Sequence, residues 1–394
     1  MDALSKLLNL SRTERESLGL VHTLPEILQQ PQTWRRTYQR VLTLAKPLDQ
    51  FLSAAGFASV SRTPPGVLLI GAGTSDYIGR SVYALLQKEW CCDVQAVPST
   101  DLLTNMDEHV IPGRSYLWIS FSRSGESSEG VAVLEDALTK YPQIQHLIVT
   151  CNEKGKMARA FTDNENVFSI VLDDDVNDRG LAMTSSFSNM VIVAQALAHF
   201  RSLLSYGLVV DSLASAAEMI LPEAADVCQS LVNDGFSKVC FLGTGPLKGA
   251  AIESSLKVLE LAAGRVTSFA ESYLGLRHGP LSAVDNDTLI VGFLSSDERR
   301  RQFELDLIRE ISDKKLTAKS LIVQPTARED AKIDAENTVS MKVQTRLADF
   351  YLPPLMVIVG QLLGLFTSLR EGMRPDEPSP RGAISRVVSH VTLH

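Results

Sequence analysis

The sequence is poor in the features that mark several classes of protein. Only five of its 394 residues are cysteines, and none of their spacings is that of a metal site. The neighbours Cys91 and Cys92 are poorly placed for a mutual disulfide, so the thiols are expected to be reduced. No run approaches the about 20 apolar residues of a membrane span, and the charged N-terminus lacks the pattern of a signal peptide. These absences favour a cytoplasmic protein.

The charge balance disfavours another class. The formal net charge is −8 at pH 7, whereas proteins that bind the nucleic-acid backbone need a basic face. A small anion remains compatible with this charge, because a few amide and hydroxyl donors suffice to bind one phosphate. The composition, 45% hydrophobic and 21% charged, is that of a globular protein, and the length gives room for two domains.

Two distant stretches follow the same order of apolar strand, glycine turn, small polar residues and helix. They are residues 67–87 and 239–260, whose first glycines are Gly71 and Gly243. Their separation is too long for a solenoid repeat and indicates two copies of one α/β unit. The first copy has hydroxyl side chains after the turn, whereas the second has charged ones. One copy is therefore predicted to bind and the other to react.

Apolar strands alternate with helical stretches along both copies, which is typical of βαβ units in a parallel sheet. We therefore predict an α/β fold of two tandem doubly wound parallel sheets. The predicted order is a helical arm (1–55), two α/β domains (56–210 and 211–374) and a tail (375–394). The tail is rich in proline and glycine, and either covers a site or frays. Six strands are predicted, at Val67–Ile70, Tyr116–Phe121, His146–Thr150, Val239–Leu242, Thr288–Leu294 and Ser320–Val323, and a long helix at Met190–Leu204.

Two loops of the first copy are candidate anion sites, because ligands of open parallel sheets bind beyond the carboxyl ends of the strands. The first, Gly71–Ser75, lacks the third glycine of a dinucleotide fingerprint, so a nucleotide cofactor is not expected. The second, Ser120–Ser128, combines serine hydroxyls with the free amides of a helix start, which suits a phosphate. A serine that only caps the helix, Ser127 or Ser128, is the alternative.

The second copy offers candidates for acid–base chemistry. Lys257 and Glu260 are three residues apart and share a helix face, so they form either a surface ion pair or a desolvated pair. Their apolar neighbours favour the second arrangement, in which the carboxylate can act as a general base. His278 precedes a rigid Gly-Pro turn, and the local sequence leaves a structural and a catalytic role equally open.

Taken together, these motifs resemble the sugar isomerase (SIS) domain family in tandem duplicate. The likeness is closer to its AgaS group, the galactosamine-6-phosphate deaminase/isomerases, once named tagatose-6-phosphate ketose/aldose isomerases. It extends from about Trp34 through nearly the whole chain. The similar blocks are GAGTS, AVPSTDLLTN, SFSRSGES, VTCNEKG, DRGLAMTSSFS, ESSLKVLELAAG and RHGP.

The resemblance implies a role for each matching position. Glu260 matches the general base, Lys257 the lysine one turn before it, and His278 the ring-opening histidine that a neighbouring subunit supplies, which implies at least a homodimer. The tail has Arg381 and Arg386 where glucosamine-6-phosphate synthase has a lysine, so only a substrate or tail contact is expected of Arg386. The expected phosphate-binding positions, hydroxyls and their neighbours, are Thr74, Ser75, Ser122, Arg123, Ser124 and Ser127.

The activity implied by the resemblance needs neither metal nor cofactor. It is the conversion of a hexosamine 6-phosphate, with galactosamine 6-phosphate favoured, to a ketohexose 6-phosphate and ammonia. Synthesis from glutamine is not expected, because the sequence has no nucleophilic cysteine at position 2. One alternative is a ketose/aldose isomerase that releases no ammonia, and another is a sugar-phosphate sensor without catalysis. The galacto or gluco configuration of the substrate stays open.

Overall fold

The chain is described here by a computed structural model that covers residues 1–57, 64–317, 319–325, 338–379, 382–388 and 392. Arg381 lies outside these residues. The strands within them are β1 Gly66–Gly71, β2 Val94–Pro98, β3 Tyr116–Ser122, β4 Gln145–Thr150, β5 Val167–Val171, β6 Lys238–Leu242, β7 Thr267–Glu271, β8 Thr288–Phe293, β9 Lys319–Pro325 and β10 Thr338–Val343.

The helices of the described residues surround these strands. In chain order they are α1 Ala3–Leu8, α2 Arg12–Leu18, α3 Thr23–Leu28, α4 Gln30–Thr43, α5 Ala45–Leu52, α6 Thr74–Trp90, α7 Ser99–Asn105, α8 Ser128–Lys140, α9 Lys156–Arg159, α10 Ser185–Ala198, α11 Leu203–Asp234, α12 Pro246–Leu261, α13 Tyr273–Leu276, α14 Glu298–Asp313 and α15 Pro353–Arg370.

The ten strands form two parallel sheets with one topology. Sheet A has the order β2-β1-β3-β4-β5, and sheet B has the matching order β7-β6-β8-β9-β10. All pairings are parallel. This is the flavodoxin-like order of a doubly wound fold. It confirms the predicted fold class.

The chain packs as two compact units. The sheet A unit comprises residues 32–178, 185–210 and 385–394, and the sheet B unit comprises residues 1–31, 179–184 and 211–384. In each unit the three inner strands are mostly buried, as expected for a parallel sheet covered on both faces.

The turn after the first strand is the same in both sheets. A Cβ on Gly71 would lie 2.3 Å from the carbonyl carbon of Ser75, and one on Gly243 would lie 2.3 Å from the carbonyl oxygen of Leu247. Gly73 and Gly245, which cap α6 and α12, have φ/ψ of 55°/−125° and 59°/−127°. Only glycine adopts such angles readily. The sequence pattern that occurs twice thus corresponds to a backbone turn that occurs twice.

Helix α15 is mostly apolar, is buried over nearly its whole length, and packs against α12 in the sheet B unit. Among the described residues, two helices, α11 and α15, are long and apolar enough to cross a membrane by length and composition. Half of the apolar stretch of α11 and 89% of that of α15 are buried inside the fold. The sequence showed no run of this length, because a few polar residues interrupt α15. A buried helix of this kind is the core helix of a globular unit.

The structure corrects the helix predicted at Met190–Leu204. Helix α10 ends at Ala198, and α11 begins at Leu203 and continues to Asp234. The apolar residues on both sides of the break hid it, because Phe200 is buried and packs edge-on against Trp90. The five cysteines are free thiols, four of them buried and Cys91 exposed.

Candidate active site

The loop Ser120–Ser128, called the serine loop below, lies in the sheet A unit at the end of the inner strand β3 and leads into α8. Gly125 has a φ of 62° and lets the chain turn sharply. Its amide donates to the Ser122 hydroxyl at 3.1 Å, and the Glu126 amide donates to the Ser124 hydroxyl at 3.2 Å. The two hydroxyls therefore shape the loop, and each still has a proton to donate to a ligand.

Ser127 differs from these two serines. It occupies the N-cap position of α8 in extended conformation, but its side chain makes no capping hydrogen bond. A serine that served only as a cap would accept from an amide of the first turn. The Ser127 hydroxyl therefore does not cap α8. The residue is half-buried beside the N-terminus of that helix.

The loop is supported by the segment after β4. The Asn152 side-chain amide donates to the Ser124 carbonyl at 2.8 Å, and the Met157 amide donates to the Gly125 carbonyl at 3.0 Å. A Cβ on Gly155 would lie 2.6 Å from the Ser124 carbonyl oxygen, so glycine is needed there for close approach. Asn152 was not among the predicted site residues, although it lies in the block VTCNEKG.

The other phosphate candidates of this unit lie in the first turn of α6. Thr74 and Ser75 are 4% and 6% exposed, directly after Gly73. Asp76 follows them and is also buried, and it pairs with Arg80 at 2.7 Å. Burial raises the pKa of Asp76, and its hydrogen bond to Arg80 opposes the rise.

Tail residues 385–388 pack against the serine loop within the sheet A unit. The buried Arg123 guanidinium donates to the Arg386 carbonyl, and the Ser128 amide donates to the Val388 carbonyl at 3.4 Å. The Arg386 guanidinium is held by the Asp178 carbonyl at 2.7 Å and the Asn177 side chain at 2.7 Å. Arg123 thus holds the tail, and its phosphate contact stays a prediction.

In the sheet B unit, α12 carries a cluster of three charged residues. Lys257 Nζ lies 2.6 Å from Glu260 Oε2 and 3.2 Å from Glu253 Oε1. The side chains of Lys257 and Glu253 are fully buried, whereas that of Glu260 is 22% exposed. The desolvated pair is therefore what forms. Glu260 alone of the three reaches solvent.

Lys257 is a cation in this setting. Burial lowers the pKa of Lys257, but the charges of Glu253 and Glu260 and the hydrogen bonds to them outweigh burial and raise it. Glu253 was not among the predicted site residues. Its spacing of four from Lys257 was the available signal.

Two glycines of α15 bring this helix close to the cluster. A Cβ on Gly364 would lie 2.9 Å from the Lys257 carbonyl oxygen, and one on Gly360 would lie 2.3 Å from the Cβ of Ser254. The apolar face of α15 therefore covers one side of α12 and keeps water from Lys257.

A cleft of about 540 Å³ adjoins the exposed side of Glu260. It is lined by the last turns of α12, by Arg265 and Met373, and by tail residues such as Ile384. A small molecule can therefore reach the Glu260 carboxylate. A general base needs this access to the proton that it removes.

His278 lies in the turn after α13, in the same unit. Its amide donates to the Gly275 carbonyl at 2.9 Å, and Gly279 follows with a φ of 118°. The residue is exposed, and its ring makes no hydrogen bond to the residues that the structure describes. The imidazole is therefore not a buried structural histidine, and no contact joins it to Glu260.

Comparison with known proteins gives relatives of nearly full length. The AgaS protein of Streptomyces coelicolor is 37% identical over 381 residues, which are 95% of each chain. The D-galactosamine-6-phosphate deaminase AgaS of Escherichia coli O157:H7 is 34% identical and covers 94% of this chain and 95% of its own. The chain belongs to the AgaS group of the SIS family. This confirms the resemblance.

A solved structure gives the same relationship for the fold. The tagatose-6-phosphate ketose/aldose isomerase of Escherichia coli has a TM-score of 0.84 and 31% identity to this AgaS-family chain, over 94% of this chain and 96% of that one. No protein-family model matches the chain. Among the described residues of this AgaS-family protein, no group of three or more His, Cys, Asp or Glu residues could hold a metal ion.

Proposed function

We propose that the protein is a cytoplasmic deaminase/isomerase of hexosamine 6-phosphates, with galactosamine 6-phosphate as the favoured substrate and a ketohexose 6-phosphate and ammonia as products. The observation that carries the proposal is the Lys257–Glu260 pair in a chain 34% identical to a named D-galactosamine-6-phosphate deaminase. The buried cation fixes a carboxylate that faces a cleft. This is the arrangement of a positioned base.

In this proposal the sheet A unit binds the phosphate. The donors are the hydroxyls of Ser75, Ser122, Ser124 and Ser127, with Thr74 beside them, and the N-terminal amides of α8 that follow Ser128. Hydrogen bonds from hydroxyls and amides to a phosphate are charge-assisted, and the dipole of α8 adds to them. Holding the phosphate fixes the hexose and lowers the entropic cost of reaching the reactive geometry.

The chemistry belongs to residues of the sheet B unit. His278 moves a proton between O1 and the ring oxygen, which opens the pyranose. Glu260 then takes the proton from C2 and returns it to C1, through an enolamine. Water adds to the resulting C2 imine, and ammonia leaves from C2 as the C2 carbonyl forms. Lys257 holds Glu260 in place and keeps its charge balanced. General acid–base steps of this kind contribute about 10²–10⁴-fold each.

We further propose that the protein is a homodimer and that His278 serves the active site of the partner subunit. The exposure of His278 and the lack of a hydrogen bond from its ring within the described chain support this role. The proposal is tested by mixing two inactive variants, Glu260→Gln and His278→Asn. A hybrid dimer then has one site with both replacements and one intact site, so activity returns on mixing. If His278 acts within its own subunit, no activity returns.

The second candidate is a ketose/aldose isomerase, which acts on a hexose 6-phosphate without nitrogen and releases no ammonia. It is favoured by a structural neighbour that carries the name tagatose-6-phosphate ketose/aldose isomerase. Both reactions share the proton transfer between C1 and C2. Ammonia release from galactosamine 6-phosphate and from glucosamine 6-phosphate, measured side by side with tagatose 6-phosphate isomerisation, separates them. Ketose formation without ammonia would leave only the isomerase.

The variant Glu260→Gln tests the catalytic role directly. Replacing the base by its neutral isostere is expected to lower kcat by at least about 10²-fold while phosphate binding persists. Equilibrium binding of the substrate to this variant provides the control. Full turnover by Glu260→Gln would exclude Glu260 as the base.

A further inference from the structure

The sheet B unit repeats the backbone that forms the proposed phosphate site of the sheet A unit. Gly245 adopts the angles of Gly73, and the loop between β8 and α14 occupies the topological place of the serine loop. This second loop, residues 294–297, also has hydroxyl side chains, those of Ser295 and Ser296. The scaffold for binding an anion is therefore present twice.

In the second copy a carboxylate of the chain itself occupies these donors. Asp349 Oδ1 accepts from the Ser296 amide at 2.6 Å and from the Ser296 hydroxyl at 2.7 Å. Its Oδ2 accepts from the Ser295 hydroxyl at 2.5 Å and from the Arg300 guanidinium at 3.1 Å. Asp349 is 2% exposed. Backbone amide, hydroxyls and guanidinium converge on one oxyanion, as they would on a phosphate.

Two further donors of the second copy, the amides of Arg300 and Ser295, are also taken by carboxylates. Asp297 caps α14 and accepts from the Arg300 amide at 3.0 Å, whereas Ser127 makes no such cap in the first copy. Glu304, 1% exposed, accepts from the Ser295 amide at 2.8 Å. Burial raises the pKa of Glu304 to about 7, and the charge of Asp349 adds to the rise. Carboxyl groups packed this closely need hydrogen-bond donors beside them to stay ionised, as Asp349, Asp297 and Glu304 have here.

The glycine turn contributes to the same place. A Cβ on Gly245 would lie 3.7 Å from Arg300 Nη1, so the guanidinium lies against the turn that caps α12. The loop, the turn and Arg300 thus surround Asp349, which comes from a separate segment just before α15. An acid supplied from outside the loop takes the position that a ligand would take.

We infer that Asp349 substitutes for a phosphate group, so that the second unit retains a phosphate-binding site that the chain closes with its own carboxylate. Its ligand class, once opened, is a tetrahedral oxyanion such as phosphate or sulfate. The inference rests on the proposed function only for the number of phosphates that the wild-type chain binds, and the second site itself is defined by the donors around Asp349. The wild-type chain then binds one sugar phosphate, although it carries two scaffolds.

The test counts bound inorganic phosphate by equilibrium dialysis with labelled phosphate. Wild type is expected to bind one phosphate per chain and Asp349→Ala two, because the replacement frees Ser295, Ser296 and Arg300. Asp349→Asn, which keeps the volume and fills the site, is the matched control and is expected to bind one. Adding Arg300→Ala to Asp349→Ala should remove the gained phosphate. An anomalous peak from selenate beside Ser296 in crystals of Asp349→Ala would locate it.

If Asp349→Ala does not fold, Asp349→Ser provides the same test, since its hydroxyl leaves the buried donors a partner. An unchanged count in the variant that folds overturns the inference while the first site and the proposed function stand. If wild type binds none and the Asp349 variant binds one, the proposed phosphate site of the sheet A unit fails while the inference holds. The two proposals therefore fail in different ways.

Discussion

Gly360 of α15 and Ser254 of α12 approach so closely that a Cβ on Gly360 would lie 2.3 Å from both the Cβ and the hydroxyl of Ser254. The same helix pair encloses Lys257, whose carbonyl faces Gly364 one turn further along α15. Close packing of the two helices therefore helps to exclude water from the Lys257 side chain.

Gly360→Ala is expected to force the two helices apart. We predict that the free energy of unfolding falls by about 1–3 kcal/mol, as for other overpacked cores, and that turnover falls as well. Urea denaturation and product assays measure the two effects. Adding Ser254→Gly should restore part of both, because it removes the Cβ contact but leaves the Ser254 Cα 2.6 Å from the new Cβ. Adding Ser254→Ala should restore less, because its Cβ remains. Equal rescue by the two replacements would show that the contact is not the cause.

Lys257→Met is expected to be strongly destabilising, because it leaves the buried Glu253 carboxylate without its cation. Breaking a buried ion pair typically costs about 3–5 kcal/mol. The double variant Lys257→Met/Glu253→Gln removes both charges and should recover most of the unfolding free energy but not the activity. Recovery of activity in the double variant would contradict the positioning role of Lys257.

Ser127→Ala separates ligand binding from helix capping. Since the Ser127 side chain makes no capping bond, the free energy of unfolding should change by less than about 0.5 kcal/mol. Loss of a charge-assisted hydrogen bond to phosphate, about 1.5–3 kcal/mol, should lower kcat/KM by about 10–100-fold. Steady-state kinetics and thermal unfolding check both values.

Ser11→Ala is the converse control. Ser11 forms a capping box with Glu14 at the start of α2, so its replacement should cost about 1 kcal/mol of stability and leave kinetics unchanged. A Ser127→Ala protein that loses stability but keeps its kcat/KM would assign Ser127 to the fold alone.

His146 predicts a loss of stability in mild acid. Burial lowers the pKa of His146 from 6.5 to about 4, so the unfolded chain binds a proton that the folded chain does not. The contribution of His146 to the free energy of unfolding is therefore highest above pH 6.5, where the imidazole is neutral in both states. It falls by about 3 kcal/mol in all as the pH drops toward 4. The slope of unfolding free energy against pH over this range should be shallower in His146→Leu. An unchanged slope would place the proton uptake elsewhere.

The sequence predicted the inner strands of both sheets and missed the four edge strands. Strands β1, β3, β4, β6, β8 and β9 are apolar because they are covered on both faces. By contrast, β2, β5, β7 and β10 are half-exposed at the sheet edges, with polar residues such as Gln95, Ser169, Thr267 and Lys342 among them. A mixed pattern over five or six residues is not distinguishable from a loop without its neighbours.

For the site, the sequence predicted the Lys257–Glu260 pair, because a spacing of three on one helix fixes the contact. The role of Arg123 as a tail ligand was not predictable, since Arg386 is distant in sequence and only folding brings its carbonyl to the guanidinium. The hydrogen bonds that hold the Asp349 carboxylate were missed for the same reason. Its partners Ser295, Ser296 and Arg300 belong to a separate loop and helix.

Cys91 ends α6 in a left-handed conformation and is the exposed thiol among the five. The other four are buried, and burial raises the pKa of Cys92 to about 12 and those of Cys151, Cys228 and Cys240 still further. Because maleimides react with accessible thiolates, the natural chain can carry one dye per molecule without mutagenesis. Mixing donor-labelled and acceptor-labelled batches would then test the proposed dimer, because exchange of subunits between them gives energy transfer.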